Sequence, residues 1–419
     1  MSNRDTDNAI VDPAVYADEA RYHAVFAGLR RDDPVHWAEP DEYAPFWAVT
    51  RHADIVEVQR QPAIFESGGR VMLTKRESEE QIARKTGGQK RPYRGITALN
   101  GQEHTNLRNV TREWFLPRNI NALEDRIAVL AREFVDRLES HGGRCDFVED
   151  VAVWYPLRVI LLIFGLPPEN EPLLLRLSKE INGAQDPDVK RSESEAEHMM
   201  QVVGEIFGFF AEVAADRRAA PRDDLASLIA NAKIEGEPLS DMDVFSYYLA
   251  ITVAGHDTTS ASVAAGLEQL ILNPDELRKL QADPSLIPGA VDEMIRWAAP
   301  VKHFFRRATQ DYVLNGKQIR AGDDLMMCYP SACRDEATFE DPFAFRVDRS
   351  PNAHLAFGIG PHLCMGQYLA RLEMSVFYRE LISRLDSVAL DGPAIQSRTL
   401  FMGGLKHLPI RYRMRRLAA

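Results

Sequence analysis

The chain has 419 residues, of which 45% are hydrophobic and 27% are charged, which is the composition of an ordinary globular protein. Its net charge of -12 argues against nucleic acid as a partner, although a local basic patch could still dock an acidic protein. The longest apolar run, residues 159–166, is too short to span a bilayer, and the four cysteines form no CxxC pair or zinc spacing. With the polar start of the chain, these features predict a soluble protein of the reducing cytoplasm.

The amino-terminal part of the chain predicts short strands, one helix and a long loop. PVHWAE (34–39) and PFWAVT (45–50) are typical of strands, with an acidic turn between them. Residues 51–62 follow with helical spacing that ends at Pro62. Residues 66–103 carry glycines and charges without periodicity, so we expect an irregular loop there.

Helical periodicity dominates the chain after this loop. Short strands interrupt it over 312–330, where Asn315-Gly316 and Ala321-Gly322 mark turns, and a last helix begins just after Gly366. No repeat or linker divides the chain, so we expect one domain over residues 1–419, mainly α with a small β portion. The predicted helices cover residues 120–140, 150–166, 170–183, 194–218, 223–233, 240–272 and 286–298.

One cysteine stands in a glycine-rich segment, AFGIGPHLCMG (356–366), directly before the last predicted helix. Cys364 could be a small buried apolar residue, a nucleophile or a metal ligand. Gly358 and Gly360 permit a tight turn beside something flat and bulky, and the positive end of the helix would lower the thiol pKa. No other cysteine or histidine is arranged to complete a tetrahedral site, so a single thiolate suits an iron whose other ligands come from a macrocycle.

The same segment resembles the cysteine-ligand loop, FGxGxHxCxG, of the cytochrome P-450 haem-thiolate monooxygenases. The resemblance, which extends over almost the whole chain, implies the P-450 fold: a helix-rich triangular prism with haem between the long central helix and the helix after the cysteine. It also implies haem b as the cofactor and Cys364 as the ligand of its iron. The defined positions of the loop are all present: Phe357, Gly358, Gly360, His362, Cys364 and Gly366.

Two further segments resemble the family's haem-propionate sites, where two carboxylates require paired cations. The segment EHTNLR sets His104 and Arg108 four residues apart, so both would lie on one helical face. Such a pair by itself is often no more than part of a solvent-exposed face. They match the family's HxxxR helix. Arg306, which we prefer to the adjacent Arg307, matches the family's other propionate arginine, and His362 supplies a further donor.

Glu293 and Arg296 in DEMIR lie three residues apart on a predicted helix, and such pairs are common. They match the family's ExxR motif. The resemblance implies a structural role, in which a buried ion network with Arg349 supports the cysteine loop.

The central helix carries an aspartate in AGHDTTS, which is costly inside an apolar helix unless it has a partner. Asp257 and Thr258 match the family's acid–alcohol pair. The resemblance implies that both are catalytic, with Thr258 steadying the oxygen species and Asp257 relaying protons through water. The alternative is that Thr258 bonds to a carbonyl one turn earlier and Asp257 forms a surface ion pair.

The positions that face the substrate in this family are apolar here, which implies a compact hydrophobic substrate. YPSACRDE, APVKHFFR and LFMGGLKHLPIRY look like the bacterial branch that hydroxylates terpineol, related monoterpenoids or alkyl-aromatics. Lys302 and His303 could add one polar contact or face solvent. The substrate-facing positions are Leu99, Ile251, Ala254, Val301, Phe304, Phe401 and Met402.

The chain contains no flavin-like or ferredoxin-like segment, so we expect electrons from a separate [2Fe-2S] ferredoxin that an NAD(P)H-dependent reductase supplies. Arg112, one turn beyond Arg108, is a candidate contact for an acidic donor. We expect a monomer with no nucleic acid or membrane partner. The alternatives are a peroxygenase or isomerase, a fatty-acid or steroid hydroxylase, and a non-enzymatic haem-based sensor.

Overall fold

The computed structural model describes residues 3–88, 91–93, 95–192 and 194–415. The described chain is mainly helical, as expected, and none of its helices combines the length and apolarity that crossing a bilayer requires. Its α-helices are α1 (Asn3–Ile10), α2 (Pro13–Tyr16), α3 (Glu19–Asp32), α4 (His52–Gln59), α5 (Arg76–Lys85), α6 (Gly101–Arg112), α7 (Pro117–Asn121), α8 (Glu124–Ser140), α9 (Trp154–Phe164), α10 (Glu171–Asn182), α11 (Glu195–Ala219), α12 (Leu225–Ala230), α13 (Asp241–Leu272), α14 (Pro274–Ala282), α15 (Ile287–Ala298), α16 (Tyr329–Ala332) and α17 (Gln367–Arg384).

The strands form one larger sheet and several small ones. The five-stranded sheet has the order β1-β2-β10-β7-β3, a second sheet has the order β11-β14-β4, and the other strands pair two by two. The strands are β1 (Val35–Ala38), β2 (Phe46–Val49), β3 (Phe65–Glu66), β4 (Arg144–Asp146), β5 (Lys233–Ile234), β6 (Glu237–Pro238), β7 (His303–Ala308), β8 (Tyr312–Leu314), β9 (Lys317–Ile319), β10 (Asp324–Cys328), β11 (Leu385–Leu390), β12 (Ile395–Gln396), β13 (Leu405–His407) and β14 (Pro409–Met414).

The five-stranded sheet is covered on both faces, which explains the uninterrupted apolar run in β10. Met326 packs in one apolar cluster with the amino-terminal helices, whereas Leu325 and Met327 pack in another cluster on the opposite face. Alternate residues of a strand point to opposite faces, so a strand buried on both sides needs apolar residues throughout. The antiparallel register with β7 sets Arg306 opposite Leu325.

The long helix α13 runs through the largest apolar cluster and is buried over most of its length. It begins at Ser240, whose hydroxyl accepts the backbone N–H of Asp243. Close packing of α9 depends on Gly255, because a Cβ there would lie 2.4 Å from Cδ1 of Ile160. A side chain at this position would force the side chain of Ile160 to move.

The predicted helices are present near their expected positions, with two local differences. The helix predicted at 120–140 is divided into α7 and α8, and the one predicted at 150–166 begins with a π turn at Val148–Ala152 before α9. The expectation of an irregular loop over 66–103 is wrong in part. This region contains the end of β3, α5, a 3-10 turn at Ile96–Ala98 and the start of α6. Since α5 (RESEEQIARK) buries Ile82 but is otherwise mostly polar, its sequence has almost no apolar periodicity.

The expected ion network around Glu293 is present and buried. Arg296 donates two hydrogen bonds of 2.7 Å to the Glu293 carboxylate, and Arg349 donates from Nε at 3.0 Å. The backbone N–H of Arg346 donates to the same carboxylate at 3.0 Å. Burial opposes ionisation, but these donors hold the pKa of Glu293 below its usual range. The network ties α15 to the segment that leads into the cysteine loop.

We predict that Glu293→Gln lowers the free energy of unfolding by about 3 kcal/mol, because it leaves two buried guanidinium groups without their counter-charge. Urea titration followed by circular dichroism measures this. The matched control is Asp275→Asn, which removes an exposed ion pair of the same spacing with Arg278 and should cost less than about 1 kcal/mol. Equal losses in the two variants would contradict a stabilising role for the network.

Candidate functional site

A continuous cavity lies between α13 and the cysteine loop. Ala254 and Thr258 of α13 line one wall, while Leu363 and Cys364 line the other. In the described part of the chain, no group of three or more His, Cys, Asp or Glu side chains could hold a metal ion. A metal in this cavity would therefore need ligands from a non-protein group in addition to Cys364.

The backbone of the cysteine loop is fixed by contacts with α4. Gly360 has a φ of +76°, and a Cβ at this position would lie 2.4 Å from the backbone oxygen of Gln59. The backbone N–H of Ile359 donates to Oε1 of Gln59 at 3.1 Å, and the N–H of Cys364 donates to the carbonyl of Phe357 at 3.0 Å. Only glycine satisfies both the left-handed conformation and the close approach at position 360.

The pKa of the Cys364 thiol is raised, whereas the sequence predicted that it would be lowered. Burial raises its pKa above the usual value, although the N–H groups of Gly366 and Gln367 at the start of α17 and the cations Arg108 and Arg371 act in the opposite direction. The helix terminus alone therefore does not produce a thiolate. Binding of a metal cation would supply the missing stabilisation of the charged form.

Four basic side chains meet at one end of the cavity. The His104 and His362 rings stack with centroids 4.1 Å apart, and Arg108 donates to the carbonyl of Leu363. Burial and then the charges of Arg306, His104 and Arg108 lower the pKa of His362 to about 2. Burial likewise lowers the pKa of Arg306. The lowered pKa leaves His362 neutral near pH 7, so Arg108 and Arg306 carry the positive charge here, and a bound anion would offset the cost of burying them.

No carboxylate among the described residues forms an ion pair with Arg108 or Arg306, so both guanidinium groups can bind an external anion. Arg306 lines the cavity, whereas Arg307 is bonded to Asp324 through two hydrogen bonds of 2.8 and 2.9 Å. Of these two adjacent arginines, Arg306 is the one that lines the cavity. Two carboxylates on a flat ring that also reaches Cys364 fit this arrangement.

The two candidate catalytic residues on α13 face different surroundings. Thr258 lines the cavity and donates to the carbonyl of Ala254 at 2.6 Å, which is the backbone contact considered as its alternative role. Asp257 does not line the cavity. Ser178 donates to its carboxylate at 2.6 Å, Asn182 also donates to it, and His256 lies 2.9 Å away. Burial opposes its ionisation, but these partners keep the pKa of Asp257 below its usual range.

Most of the candidate substrate positions line the cavity, and Leu99 is the exception. The 3-10 turn at Ile96–Ala98 directs Ile96 and Thr97 to the cavity, and Leu99 instead packs in the main apolar core. His303 does not line the cavity, since its Nε2 accepts the backbone N–H of Leu73 at 2.9 Å. Lys302 does not line it either. The candidates that do line it are Ile251, Ala254, Val301, Phe304, Phe401 and Met402.

Two residues with ionisable side chains, Arg91 and Glu373, line the cavity, and the sequence did not indicate either as a site residue. Arg91 lies in the part of the chain predicted as a loop, where no pattern distinguishes it. Glu373 lies on α17, is 2% exposed and accepts a 3.1 Å hydrogen bond from Thr259 at Oε1, while Oε2 has no partner among the described residues. Its place four residues from both Leu369 and Phe377, on an apolar helix face, is a signal that could have identified it.

Comparison with known proteins identifies the family. Residues 65–407 match the family model for cytochrome P-450. The chain belongs to the cytochrome P-450 family. A P-450 from Novosphingobium aromaticivorans has a crystal structure that superposes with a TM-score of 0.91 and 38% identity, covering 98% of this chain and 99% of the other.

Relatives of this P-450 include enzymes with several substrates. Cytochrome P-450-terp of a Pseudomonas species is 38% identical over 411 residues, or 96% of both chains. Linalool 8-monooxygenase of Pseudomonas putida is 33% identical over 402 residues, 95% of this chain and 97% of its own. Steroid C26-monooxygenase of Mycolicibacterium smegmatis is 31% identical over 406 residues, 96% of both.

The protein is a haem-thiolate monooxygenase with haem b, and it uses dioxygen, an organic substrate and a redox partner protein.

We predict a pH-dependent stability effect at Glu373. Burial raises the pKa of this carboxyl well above its usual value, so the folded protein holds a proton that the unfolded chain releases above about pH 4.3. Stability contributed by the neutral form is therefore present at low pH and is lost as pH rises toward the folded pKa. Glu373→Gln, which is always neutral, should match the wild type near pH 4 and exceed it increasingly toward pH 8.

The urea midpoint of the haem-loaded protein across this range measures the effect. Glu212→Gln is the control, since Glu212 is exposed on α11 and should give no such trend. A difference between Glu373→Gln and the wild type that stays constant with pH would contradict the prediction.

Proposed function

We propose that this P-450 hydroxylates a C–H bond of a small hydrophobic molecule, a monoterpenoid or an alkyl-aromatic. The observation that carries the proposal is the apolar lining of the cavity opposite Cys364, formed by side chains such as Ile251, Val301, Phe304 and Phe401. Such a lining binds through apolar contact area and few polar groups. The two relatives named for terpene compounds support the monoterpenoid class.

In this proposal, Cys364 binds the haem iron and the basic cluster binds the haem propionates. His104, Arg108, Arg306 and His362 supply the donors, and the absence of an ion-pair carboxylate at Arg108 and Arg306 among the described residues supports this role. Haem supplies the activation of dioxygen, which no protein side chain provides. The fixed backbone around Gly360 holds the sulfur at one position.

The substrate class is tested by titrating the haem-loaded protein with α-terpineol, linalool, p-cymene, decanoate and a steroid. We expect the terpenoids and p-cymene to shift the haem absorption as they displace water, and the steroid to have little effect. A shift only with the steroid or the fatty acid would contradict the proposed class. Cys364→Ser is the control for the ligand, since it should lose the thiolate signature of the ferrous–CO absorption band.

We further propose that Thr258 and Asp257 deliver protons during catalysis. Thr258 lines the cavity, so its hydroxyl can hold a water or an oxygen species there. Asp257 is bonded to Ser178 and Asn182 of α10 and would have to exchange these bonds to reach the cavity. Proton delivery would therefore depend on the position of α10.

We predict that Thr258→Ala retains haem and substrate binding but diverts electrons to hydrogen peroxide. Without the hydroxyl of Thr258, proton delivery is no longer controlled. The ratio of product and peroxide to NADH consumed measures this. Ser260→Ala is the control, because Ser260 is buried on the same helix and does not line the cavity. If both variants convert NADH to product as efficiently as the wild type, Thr258 has no such role.

A [2Fe-2S] ferredoxin is the proposed electron donor, and it would dock beside α6. Arg112 is exposed one turn beyond Arg108, which bonds to the residue before Cys364. None of the described carboxylates forms an ion pair with Arg112, so its charge is available to an acidic partner.

We predict that Arg112→Glu slows reduction by an acidic ferredoxin and makes the rate less sensitive to salt. Stopped-flow reduction over a range of ionic strengths measures this. Arg411→Glu, a charge reversal at an exposed arginine on β14, is the control and should leave the rate close to wild type. An unchanged salt dependence in Arg112→Glu would exclude this docking site.

A further inference from the structure

We propose that Arg91 binds a carboxylate of the substrate, so that this P-450 selects an amphipathic acid: a monoterpenoid or alkyl-aromatic skeleton that carries a carboxylate away from the reacting carbon. The inference rests on the proposed function, because it assigns the charge of the molecule that occupies the same cavity. It adds a specificity-determining residue in a part of the chain where the sequence showed no pattern.

The position of Arg91 places a cation where the apolar cavity meets a smaller, more polar pocket. The smaller pocket shares Met72, Arg91, Tyr93 and Phe401 with the main cavity. Its remaining lining includes Thr74, Ser78, Asn182, Gln185 and Glu195, and no residue of the cysteine loop. A molecule that extends from Cys364 toward this pocket therefore passes apolar walls first and then meets the guanidinium group.

Arg91 is electrostatically separate from the basic cluster that faces the haem propionates. The charges of Arg108 and Arg306 act on both His104 and His362, and His104 also acts on His362. The groups that act on Arg91 are instead Tyr93 and Glu79. Arg91 therefore belongs to the junction of the two pockets and not to the cluster around His362.

The guanidinium group of Arg91 has no ion-pair partner among the described residues, although its side chain is mostly buried. Glu79, the carboxylate that acts on it, is bonded to Arg70 at 3.2 Å. Burial lowers the pKa of Arg91, which reports the cost of keeping this charge away from water. A cation in such surroundings is stabilised when an anion binds, and a carboxylate matches the two parallel N–H groups of a guanidinium.

The apolar walls disfavour burial of the charged end of an acid anywhere except at Arg91, so the acid would bind in one orientation. Ile96 and Ile251 lie in the same lining as Arg91, and Ala254 and Thr258 line the wall opposite Cys364. With the carboxylate on Arg91, the hydrocarbon end is left to occupy the apolar space at α13. The charge thereby selects which end of the substrate reaches the reaction centre.

The test compares a carboxylate with its neutral isostere in the haem-loaded protein. 4-Isopropylbenzoate and 4-isopropylbenzamide differ in charge but hardly in shape, and perillate with its amide repeats the comparison on a terpenoid skeleton. Dissociation constants come from the shift of the haem absorption at pH 7. We expect the wild type to bind each acid about tenfold more tightly than its amide, and Arg91→Gln to lose this preference.

Two controls separate this role from others. Arg84→Gln removes an exposed arginine of α5 close in sequence and should retain the preference, because its charge does not face the cavity. Transfer of haem to apomyoglobin measures the rate of haem loss and needs no turnover assay. Arg91→Gln should leave this rate unchanged. Faster haem loss in Arg91→Gln with an unaltered acid preference would assign Arg91 to a propionate and overturn the inference.

The outcomes distinguish this inference from the proposed function. If α-terpineol, linalool and p-cymene bind but the acids bind no better than their amides, only the role of Arg91 is wrong. If the acids bind through Arg91 and the neutral compounds do not, the role stands and the neutral substrate class is wrong. Absence of binding by both series would overturn both, and equal weakening of acid and amide in Arg91→Gln would also overturn the carboxylate role.

Discussion

The site depends on a rigid separation between the cysteine loop and α13. The loop is held on one side by Gln59, which accepts the N–H of Ile359 and lies against Gly360, and the segment before it is held by the buried charges of Glu293 and Arg349. On the other side, α13 is fixed in the main apolar core. Because buried contacts hold both walls, the distance between Cys364 and α13 is set by the protein itself.

The charged side chains around the cavity form separate groups, and each group suits a different anion. The cluster of His104, Arg108, Arg306 and His362 has the chemistry to offset the two propionates of haem, whereas Arg91 stands apart at the polar end. Glu373 is buried, forms no ion pair with any cation in the described part of the chain, and has a raised pKa, so it adds a neutral carboxyl rather than a negative charge. The protein thus places an excess of positive charge at a site whose cofactor and proposed substrate are anionic.

The hydrogen bonds of Asp257 connect the cavity to a helix that does not itself carry the haem-facing groups. Ser178 and Asn182 of α10 bond to its carboxylate, and Asn182 also lines the smaller pocket beside Arg91. A substrate that reaches this pocket would therefore contact a residue that restrains the proposed proton relay. The proposed recognition at the polar end and the proposed proton delivery at α13 would share the side chain of Asn182, which would give a physical route for coupling them.

The sequence by itself determined the local features: most helices, the cysteine loop with Cys364, and the charged pairs whose spacing follows one helical face, such as His104 with Arg108. These depend on neighbours within a few residues, so spacing and residue type are sufficient. Only the tertiary structure decided that Asp257 bonds to α10 and that Leu99 lies in the core. It also decided that Arg91 and Glu373 face the cavity and that burial outweighs the helix terminus at the thiol. Each of these depends on how elements distant in the chain pack together, and packing sets burial and therefore charge state.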